Sequence, residues 1–296
     1  MCRGVERLTA CDRLVAASSA LTRSVVLRVH PLLDLSARPV VGHRGNCAHA
    51  PENTLVSFRQ ALALGVDALE FDVRITRDGE VVVFHDATVR RTTGVDGAVA
   101  AMSLAEVRRL DAGATFSVDG GATFPYRGQG VGVSTLAEVL LAFPDTPVLI
   151  EIKVQGAALA TREIIERLSA TQRCIAASFH PGALRAFADS SIAVSSAPMA
   201  VAPLCIPALL RRRFTALPFQ TMSLPRFFRG IPVPLGALAR AVEPAGVAVH
   251  VWTINDAATA RRLWRVGVRG ILSDDPATIL RARRETASAA GASGSY

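Results

Sequence analysis

Histidines and carboxylates stand at the ends of short apolar segments in the first half of this chain. His43 and His85 each close one segment, while Glu70, Asp72 and Glu151 lie within or at the end of two others. Charged residues at the point where a chain leaves a buried core are typical of an active site. An imidazole exchanges protons near neutral pH, so a pair of histidines beside carboxylates favours general acid–base catalysis.

The acidic residues of this set have the spacing of a metal site. Glu70 and Asp72 are two residues apart on one predicted strand, so both side chains point to the same face. In a barrel that face is the lumen, where Glu151 from another strand completes a cluster. Three ionised carboxylates repel one another unless a cation lies between them, and all-oxygen ligands favour Mg²⁺ or Ca²⁺. The alternative is a set of salt bridges to the basic side chains Arg44, Arg74 and Lys153.

One residue type occurs only once. Lys153 is the only lysine in the chain, and every other residue in the Lys+Arg count of 33 is arginine. A lysine ammonium is a compact point charge that fits beside a metal ion or a phosphate oxygen, whereas a guanidinium is a wide planar fork. Lys153 lies two residues after Glu151, on the same face of the strand. This position favours a functional role for Lys153 over chance survival in an arginine-rich chain.

The length and the net charge of the chain limit its possible folds and binding partners. A chain of 296 residues with 50% hydrophobic composition can form one large α/β barrel or two smaller domains. The formal net charge of +8 favours anionic partners such as phosphate esters or anionic lipid surfaces, although an arginine-rich composition alone would also produce it. No run of basic residues is interleaved with aromatic ones, and the chain has only two tyrosines and two tryptophans, so nucleic-acid binding is not expected.

The cysteines and the apolar segments indicate in which cellular compartment we expect the protein. The five cysteines are odd in number and fit no zinc spacing, so we interpret them as reduced thiols of a cytoplasmic protein. The apolar segment 197–210 contains three prolines and is too short to span a bilayer. With the arginines 211–213 that follow it, this segment is interpreted as a barrel helix with a basic end. A weak peripheral contact with an anionic membrane is the alternative.

Strand-like and helix-like segments alternate from about residue 39 to 282, and this alternation predicts a (β/α)₈ TIM barrel in the α/β class. Asp78-Gly79 marks a tight turn, so residues 81–85 must return antiparallel to the second strand and carry His85 back towards Glu70 and Asp72. The eight predicted parallel strands are Val40–His43, Ala68–Ile75, Val148–Ile152, Cys174–Phe179, Ile192–Ala197, Phe219–Ser223, Val247–Thr253 and Gly270–Ser273.

The remaining segments define the predicted domain organisation. Residues 1–38 form an N-terminal extension, and residues 39–283 form the barrel. A glycine-rich insertion of about residues 87–133 follows the hairpin after the second strand, so we expect it to form a small cap beside the mouth of the barrel. The composition of residues 284–296 predicts a disordered tail.

The chain resembles the glycerophosphodiester phosphodiesterase family over about residues 39–280. Each shared segment is short, but their ordered combination is specific. The matching segments are HRG (43–45), PENT (51–54), EFDVR (70–74), TRDG (76–79), HD (85–86), RTTG (91–94), EIK (151–153), SF (178–179), VWTIN (251–255) and GVRGILSD (267–274).

The resemblance implies a barrel of this kind, one divalent cation, and hydrolysis of a small-molecule glycerophosphodiester to sn-glycerol 3-phosphate and an alcohol. His43 and His85 resemble the acid–base pair of the family, and Trp252 would form a wall of the substrate site. The residues that resemble the metal ligands are Glu70, Asp72 and Glu151, and those that resemble the phosphate-binding residues are Arg44 and Lys153.

Two other functions remain compatible with the sequence. Some relatives act on lysophospholipids at a membrane, and the segment 197–213 together with Phe227 and Phe228 would suit such a lysophospholipase D-type enzyme. A non-catalytic phospholipid-binding barrel is the second, but a protein that only binds needs no histidine pair. The alcohol group, the choice between Mg²⁺ and Ca²⁺, attack by water or through a cyclic phosphate, the acid–base assignment of the two histidines and the oligomeric state stay open.

Overall fold

The computed structural model describes residues 30–292, and its centre is a barrel of parallel strands. The predicted (β/α)₈ barrel is confirmed. Its eight parallel strands follow the order β6-β5-β4-β2-β1-β11-β10-β7, and a single bridge between Ser195 and Thr221 links the two ends, so the barrel is nearly closed. These strands are β1 (Val40–His43), β2 (Ala68–Ile75), β4 (Val148–Ile152), β5 (Cys174–Ala177), β6 (Ala193–Val194), β7 (Thr221–Pro225), β10 (Ala248–Trp252) and β11 (Ile271–Ser273).

Three short strands lie outside the ring. The predicted hairpin is present: β3 (Val81–Val83) runs antiparallel to β2. The backbone N–H of Phe84 then donates to the carbonyl of Asp72, and this bond returns the chain to the level of the β2 carboxylates. A separate two-stranded ribbon follows β7 and consists of β8 (Phe227–Phe228) and β9 (Ile231–Pro232).

Helices surround the strands and cover their outer faces with apolar side chains, except α2 and α3, which belong to the insertion of residues 87–133. They are α1 (Leu55–Leu64), α2 (Arg90–Thr93), α3 (Leu104–Val107), α4 (Leu136–Ala142), α5 (Ala158–Arg167), α6 (Pro181–Leu184), α7 (Pro198–Leu209), α8 (Leu235–Val242), α9 (Ala257–Arg265) and α10 (Pro276–Ala292). Among the described residues, none of these helices is both long and apolar enough to cross a membrane.

The first helix starts later than the sequence pattern suggests. Helical spacing predicts a helix from Pro51, whereas α1 begins at Leu55. Asn53 has a positive φ of 58°, which no helix interior allows, and the Thr54 hydroxyl accepts the N–H of Ser57 as an N-cap. The residues before the helix therefore form a turn beside the mouth of the barrel.

Several strand boundaries also differ from the prediction. The fifth predicted strand, 192–197, shortens to the two residues of β6, and the fourth ends at Ala177. Side chains take over the pairing there: the Ser178 hydroxyl donates to the Ile152 carbonyl, and Gln220 Oε1 accepts the N–H of Val194. These side-chain hydrogen bonds hold each strand in its position where the regular backbone ladder has ended.

The N-terminal end of the barrel lumen is closed by residues that precede β1. Leu32 is fully buried and packs with lumen residues of five strands: Val41, Ala68, Leu149, Ile175 and Leu272. Its carbonyl accepts a hydrogen bond from His250 Nε2 at 2.8 Å. Residues 30–38 of the predicted extension thus act as a plug, and residues 1–29 lie outside the described part of the chain.

The insertion between β3 and α4 forms a second small hydrophobic core, together with Val82 and Phe84 of the hairpin. Val89, Val99, Val107 and Leu110 pack there, together with Val131 and Val133. Its two ends lie side by side, since Val82 forms an antiparallel bridge with Thr135. The insertion therefore leaves and rejoins the barrel through one narrow connection.

The structure differs from the predicted disordered tail, because α10 continues to Ala292. The tail sequence from residue 284 is rich in alanine and has no glycine before Gly291, which favours continuation of a helix. Glu285 also forms an ion pair with Arg261 of α9, and the Thr286 hydroxyl donates to the Ala282 carbonyl. Residues 293–296 lie outside the described residues.

Candidate active site

The register of the barrel strands brings the candidate residues to one edge. His43 of β1 lies beside Glu70 of β2, and Asp72 lies beside Glu151 of β4. All of these positions are at the carboxyl ends of parallel strands, where the barrel opens. The cleft there has a volume of about 170 Å³ and is lined by His43, Arg44, Glu70, His85, Glu151, Lys153, Phe179, Trp252, Thr253 and Leu272. Asp72, the remaining predicted site residue, is 1% exposed and lies at the base of this group.

Three carboxylates converge as the spacing predicts. Oxygen atoms of Glu70, Asp72 and Glu151 all lie within 4.8 Å of one another. Glu70 and Asp72 are buried, while Glu151 is half-buried at the mouth. This separation suits oxygen ligands that share one cation.

Two basic side chains contact this cluster. Lys153 Nζ lies 2.6 Å from Glu151 Oε1 and 2.9 Å from Asp72 Oδ1. Arg44 Nε lies 3.2 Å from the other oxygen of Asp72, Oδ2. Salt bridges therefore exist for Asp72 and Glu151, whereas Arg74, the third basic residue of the salt-bridge alternative, donates to the carbonyl of His85 instead.

Within residues 30–292, no guanidinium or ammonium group forms a salt bridge with Glu70. It accepts the backbone N–H of Arg44 at 3.0 Å, and its nearest basic side-chain atom is His43 Nε2 at 3.9 Å. Burial and the charge of Asp72 raise the pKa of Glu70 to about 7. Three carboxylates against two cationic side chains leave unbalanced negative charge at Glu70, so the donor set fits one divalent cation.

His43 is held by an aspartate from the last strand–helix connection. Its Nδ1–H donates to Asp274 Oδ1 at 2.6 Å. Burial opposes protonation of the ring, but the charge of Glu70 and the hydrogen bond to Asp274 outweigh it and raise the pKa of His43. Because Nδ1 is occupied, Nε2 is the ring atom available to exchange a proton in the cleft.

His85 has the same arrangement with its neighbour in sequence. Its Nδ1–H donates to Asp86 Oδ1 at 2.6 Å, and Arg91 Nε donates to the other oxygen of Asp86 at 2.6 Å. Partial burial opposes ionisation of Asp86, but these hydrogen bonds from Arg91 and His85 prevail and lower its pKa to about 2. Asp86 is therefore a permanent anion behind the ring at neutral pH.

Residues that the sequence analysis did not assign to the site support it from behind. Asn53 holds Asp72 twice, since its amide Nδ2 donates to Oδ2 at 2.9 Å and its Oδ1 accepts the Asp72 N–H at 3.2 Å. Glu52 accepts hydrogen bonds from Arg44 at 2.9 Å and from both terminal nitrogens of Arg91. The positive φ of Asn53 has no sequence signal, whereas an aspartate directly after a strand-end histidine, as in His85-Asp86, is one that could have been used.

Trp252 and Cys47 also lie at or near the cleft, the first as part of an aromatic wall and the second as a protonated thiol. Trp252 packs edge-to-face against Phe179 with 5.9 Å between ring centroids, so the two form an aromatic wall. Cys47 donates its S–H to Asp274 Oδ1 at 2.9 Å. Burial and the charge of Asp274 raise the pKa of the Cys47 thiol, which keeps it protonated and argues against a nucleophilic role.

Comparisons with known proteins agree with this geometry. A model of the glycerophosphoryl diester phosphodiesterase family matches residues 43–278. The glycerophosphodiester phosphodiesterase of Caldanaerobacter subterraneus subsp. tengcongensis is 32% identical over 249 residues, 81% of this chain and 96% of that protein. A lysophospholipase D of Homo sapiens is 26% identical over 80% of this chain and 83% of its own length. A phosphodiesterase of Oleispira antarctica, solved in complex with its product sn-glycerol-3-phosphate, superposes with a TM-score of 0.66 at 26% identity, covering 84% of this chain and 98% of that one.

Proposed function

The chain belongs to the glycerophosphoryl diester phosphodiesterase family, and on this premise we propose that it hydrolyses glycerophosphodiesters with a divalent cation and a pair of histidines. The products would be sn-glycerol 3-phosphate and an alcohol. The observation that carries this proposal is the pairing of each histidine with its own aspartate on two sides of one carboxylate cluster. A site that only binds phosphate has no need of two imidazoles held in one tautomer.

The carboxylate cluster is the proposed cation site. Glu70, Asp72 and Glu151 would hold Mg²⁺ or Ca²⁺, because both ions prefer oxygen ligands. When bound, such an ion neutralises phosphate oxygens and lowers the pKa of a nucleophile. Asn53 fixes the orientation of Asp72 in this set through its two hydrogen bonds.

The basic side chains are the proposed phosphate clamp. Arg44 and Lys153 line the same cleft as the two histidines, so their donors can stabilise the charge that builds on phosphate oxygens during the reaction. To do so, Lys153 must share its ammonium protons between the substrate and the carboxylates that it contacts now. Trp252, with Phe179, would form the wall against which the glycerol or alcohol group packs.

The histidines are the proposed proton-transfer groups. Nε2 of one ring removes a proton from the attacking oxygen, and Nε2 of the other delivers a proton to the departing alkoxide. Asp274 and Asp86 each stabilise the imidazolium that forms or is consumed. The attacking oxygen is either a water or the glycerol hydroxyl next to the phosphate. In the second route the hydroxyl expels the alcohol and forms a cyclic phosphate, which a water then opens to glycerol 3-phosphate, and the same two histidines serve both routes.

Hydrolysis of lysophospholipids is the second candidate function. Phe227 and Phe228 are exposed on the ribbon that follows β7, at the same edge of the barrel as the cleft. Exposed aromatic side chains beside the mouth favour a substrate that is anchored in a lipid surface. The catalytic groups and the proposed cation are the same for both candidates, so the distinction lies in the acyl chain that a lysophospholipid carries on its glycerol.

The proposal is tested by release of glycerol 3-phosphate from a panel of glycerophosphodiesters and of lysophosphatidic acid from a panel of lysophospholipids. We expect EDTA to abolish turnover, Mg²⁺ or Ca²⁺ to restore it, and Glu151→Gln to demand a higher concentration of the ion. His43→Ala and His85→Ala should each lower kcat by about 10²-fold or more while the variants remain folded. Full turnover in excess EDTA would refute the cation, and near wild-type turnover of either histidine variant would refute its role.

A further inference from the structure

We propose that the β8–β9 ribbon is a docking element that inserts into an anionic lipid surface and brings the mouth of the barrel against it. The ribbon comprises residues 226–233, RFFRGIPV. This inference deepens the proposed function, because it names the partner surface that would supply an amphiphilic phosphodiester to the same cleft.

The ribbon is a hydrogen-bonded hairpin that is exposed to solvent. Its turn residues Arg229 and Gly230 have φ values of 50° and 81°, the two positive φ angles of the type I′ turn that suits a two-residue hairpin. The N–H of Val233 donates to the carbonyl of Arg226 at 3.0 Å and closes its base. All six residues from 227 to 232 are exposed. A hairpin with fixed ends and no burial keeps its side chains ready for a partner.

Both faces of the ribbon carry apolar side chains. Phe228 pairs with Ile231 on one face, and Phe227 pairs with Pro232 on the other. Phe227 is 53% exposed, Phe228 42% and Ile231 70%. A protein partner with one flat surface would cover a single face of such a ribbon, whereas the interfacial region of a bilayer surrounds an inserted ribbon on all sides. The distribution therefore favours a lipid surface as the partner.

The charges beside the ribbon complement anionic lipid headgroups. Arg226 lies over the ring of Phe227 and Arg229 over the ring of Phe228, with 5.4 and 5.7 Å between guanidinium carbon and ring centroid. No acidic residue occurs between residues 215 and 242. Guanidinium groups at this level can bind lipid phosphates while the rings below them enter the apolar region.

The location of the ribbon directs the mouth towards the surface. It begins directly after Pro225, and Pro225 lies beside Trp252 in the pairing of β7 with β10. A bilayer that holds the ribbon is therefore next to the aromatic wall of the cleft. An amphiphile could pass from the surface into the site without entering bulk water.

A second group of exposed apolar residues lies at the edge of the barrel opposite the mouth. Ile206, Leu209 and Leu210 at the end of α7 are exposed and precede the exposed arginines 211–213. However, α7 leaves the carboxyl end of β6 and returns to the start of β7, so these residues lie at the edge opposite the mouth. Docking through them would point the cleft away from the membrane.

The test is flotation of the full chain with vesicles, in low and high salt. Vesicles of equimolar phosphatidylglycerol and phosphatidylcholine should carry wild-type protein upward, and vesicles of phosphatidylcholine alone should carry much less. The double variant Phe227→Ser, Phe228→Ser should lower the partition coefficient by about tenfold or more, because two aromatic rings no longer enter the interface. The control is Leu141→Ser, because Leu141 is an apolar residue on α4 at the opposite edge and is 64% exposed, more than either phenylalanine.

The charge contribution has its own matched pair. Arg226→Gln with Arg229→Gln should reduce binding to the anionic vesicles by about tenfold at low salt, and the reduction should shrink as salt screens the headgroups. The control pair Arg211→Gln with Arg212→Gln, at the end of α7, should float like wild type. Loss of binding in this control pair, or in Leu141→Ser, with retention in the ribbon variants would overturn the proposal.

Activity measurements separate this inference from the proposed function. The Phe227→Ser, Phe228→Ser variant should hydrolyse water-soluble glycerophosphocholine like wild type but lose turnover on lysophosphatidylglycerol embedded in the vesicles. Wild-type flotation without any turnover would refute the proposed function and leave the docking element standing. Turnover of glycerophosphocholine by a protein that floats with neither vesicle would refute the docking element and leave the function standing.

Discussion

Each candidate catalytic histidine depends on one carboxylate for the tautomer of its ring. Asp274 fixes His43 and Asp86 fixes His85, in both cases through Nδ1 at 2.6 Å. The two aspartates differ in what else they hold. Asp274 also accepts from Cys47 and from Asn255 Nδ2, whereas Asp86 is paired with Arg91. Removal of either charge should therefore affect one ring without disturbing the other.

Asp274→Asn tests the state of His43. The substitution preserves size but removes the anion that, with Glu70, raises the pKa of His43. Protonated His43 loses part of its stabilisation, so the limb of the kcat/KM profile that belongs to this ring should move to lower pH. We expect kcat to fall by about 10- to 100-fold, the usual effect of a group that orients a functional histidine. An unchanged pH profile with reduced kcat would mean that Asp274 serves only the loop.

Lys153→Arg tests why one lysine persists in an arginine-rich chain. Lys153 Nζ fits between Asp72 and Glu151, at 2.9 and 2.6 Å, in a site only 14% exposed. A planar guanidinium is too wide to reproduce both contacts and still reach a phosphate oxygen. We expect Lys153→Arg to lose most of its activity and Lys153→Met to lose more, with both variants folded by circular dichroism. Wild-type kinetics in Lys153→Arg would make this residue a product of chance.

At the scale of the elements, the loop between β1 and α1 has the least freedom to change. Gly45 has φ +91°, and a Cβ there would lie 2.4 Å from the Ser57 hydroxyl and 2.7 Å from backbone carbon of the same residue. Gly65, directly after the last residue of α1, has φ +90° but open space around it. An alanine at Gly65 therefore introduces only the backbone strain of a positive φ, whereas an alanine at Gly45 introduces that strain and a steric clash.

Gly65→Ala should cost about 1–2 kcal/mol of stability, the cost of a left-handed alanine, and should leave kcat unchanged. Gly45→Ala should add about 1–3 kcal/mol of overpacking and should also lower activity, because the loop it displaces carries Arg44. Denaturant unfolding and kcat/KM measured on both variants check this. Equal costs in the two variants would show that the loop adapts to the added methyl group.

Local signals in the sequence were enough to predict the elements that carry the site, but long-range contacts determined the rest. The alternation of apolar segments predicted the barrel, and the two-residue spacing of Glu70 and Asp72 predicted a shared face. The aspartate that orients His43 is 231 residues away in the chain, and no spacing rule connects them. The helical end of the chain was missed for a similar reason, since Glu285 is stabilised by Arg261 of another helix.

At the scale of the whole molecule, the closed end of the barrel depends on a neutral imidazole. His250 is fully buried, donates from Nε2 to the Leu32 carbonyl and accepts the Gly270 N–H at Nδ1, so both ring nitrogens are satisfied only when the ring is uncharged. Burial lowers the pKa of His250 to about 4, and it lowers that of buried His30 to about 4 as well. The closed end is therefore sensitive to acid.

For this reason, the free energy of unfolding should decrease as the pH falls. The unfolded chain binds a proton at His250 near pH 6.5 and the folded chain only near pH 4, so the stabilisation present above pH 6.5 is lost between these values. The slope should reach about 1.4 kcal/mol per pH unit for each such histidine. His250→Gln should be less stable at pH 7.5 but show a shallower loss on acidification, whereas the exposed control His180→Gln should keep the wild-type slope. Thermal melts between pH 7.5 and 5 measure this.

The insertion of residues 87–133 has an evolutionary consequence. Much of its hydrophobic packing is internal and its two ends lie side by side, so its sequence and length can change while the barrel is retained. Other side chains also join it to the barrel, such as Tyr126 to Gln60 and Glu106 to Arg77, but Arg91 contacts the site itself, because it donates to Glu52 and Asp86. In relatives that act on other substrates, we therefore expect the insertion to vary in sequence and Arg91 to be inherited.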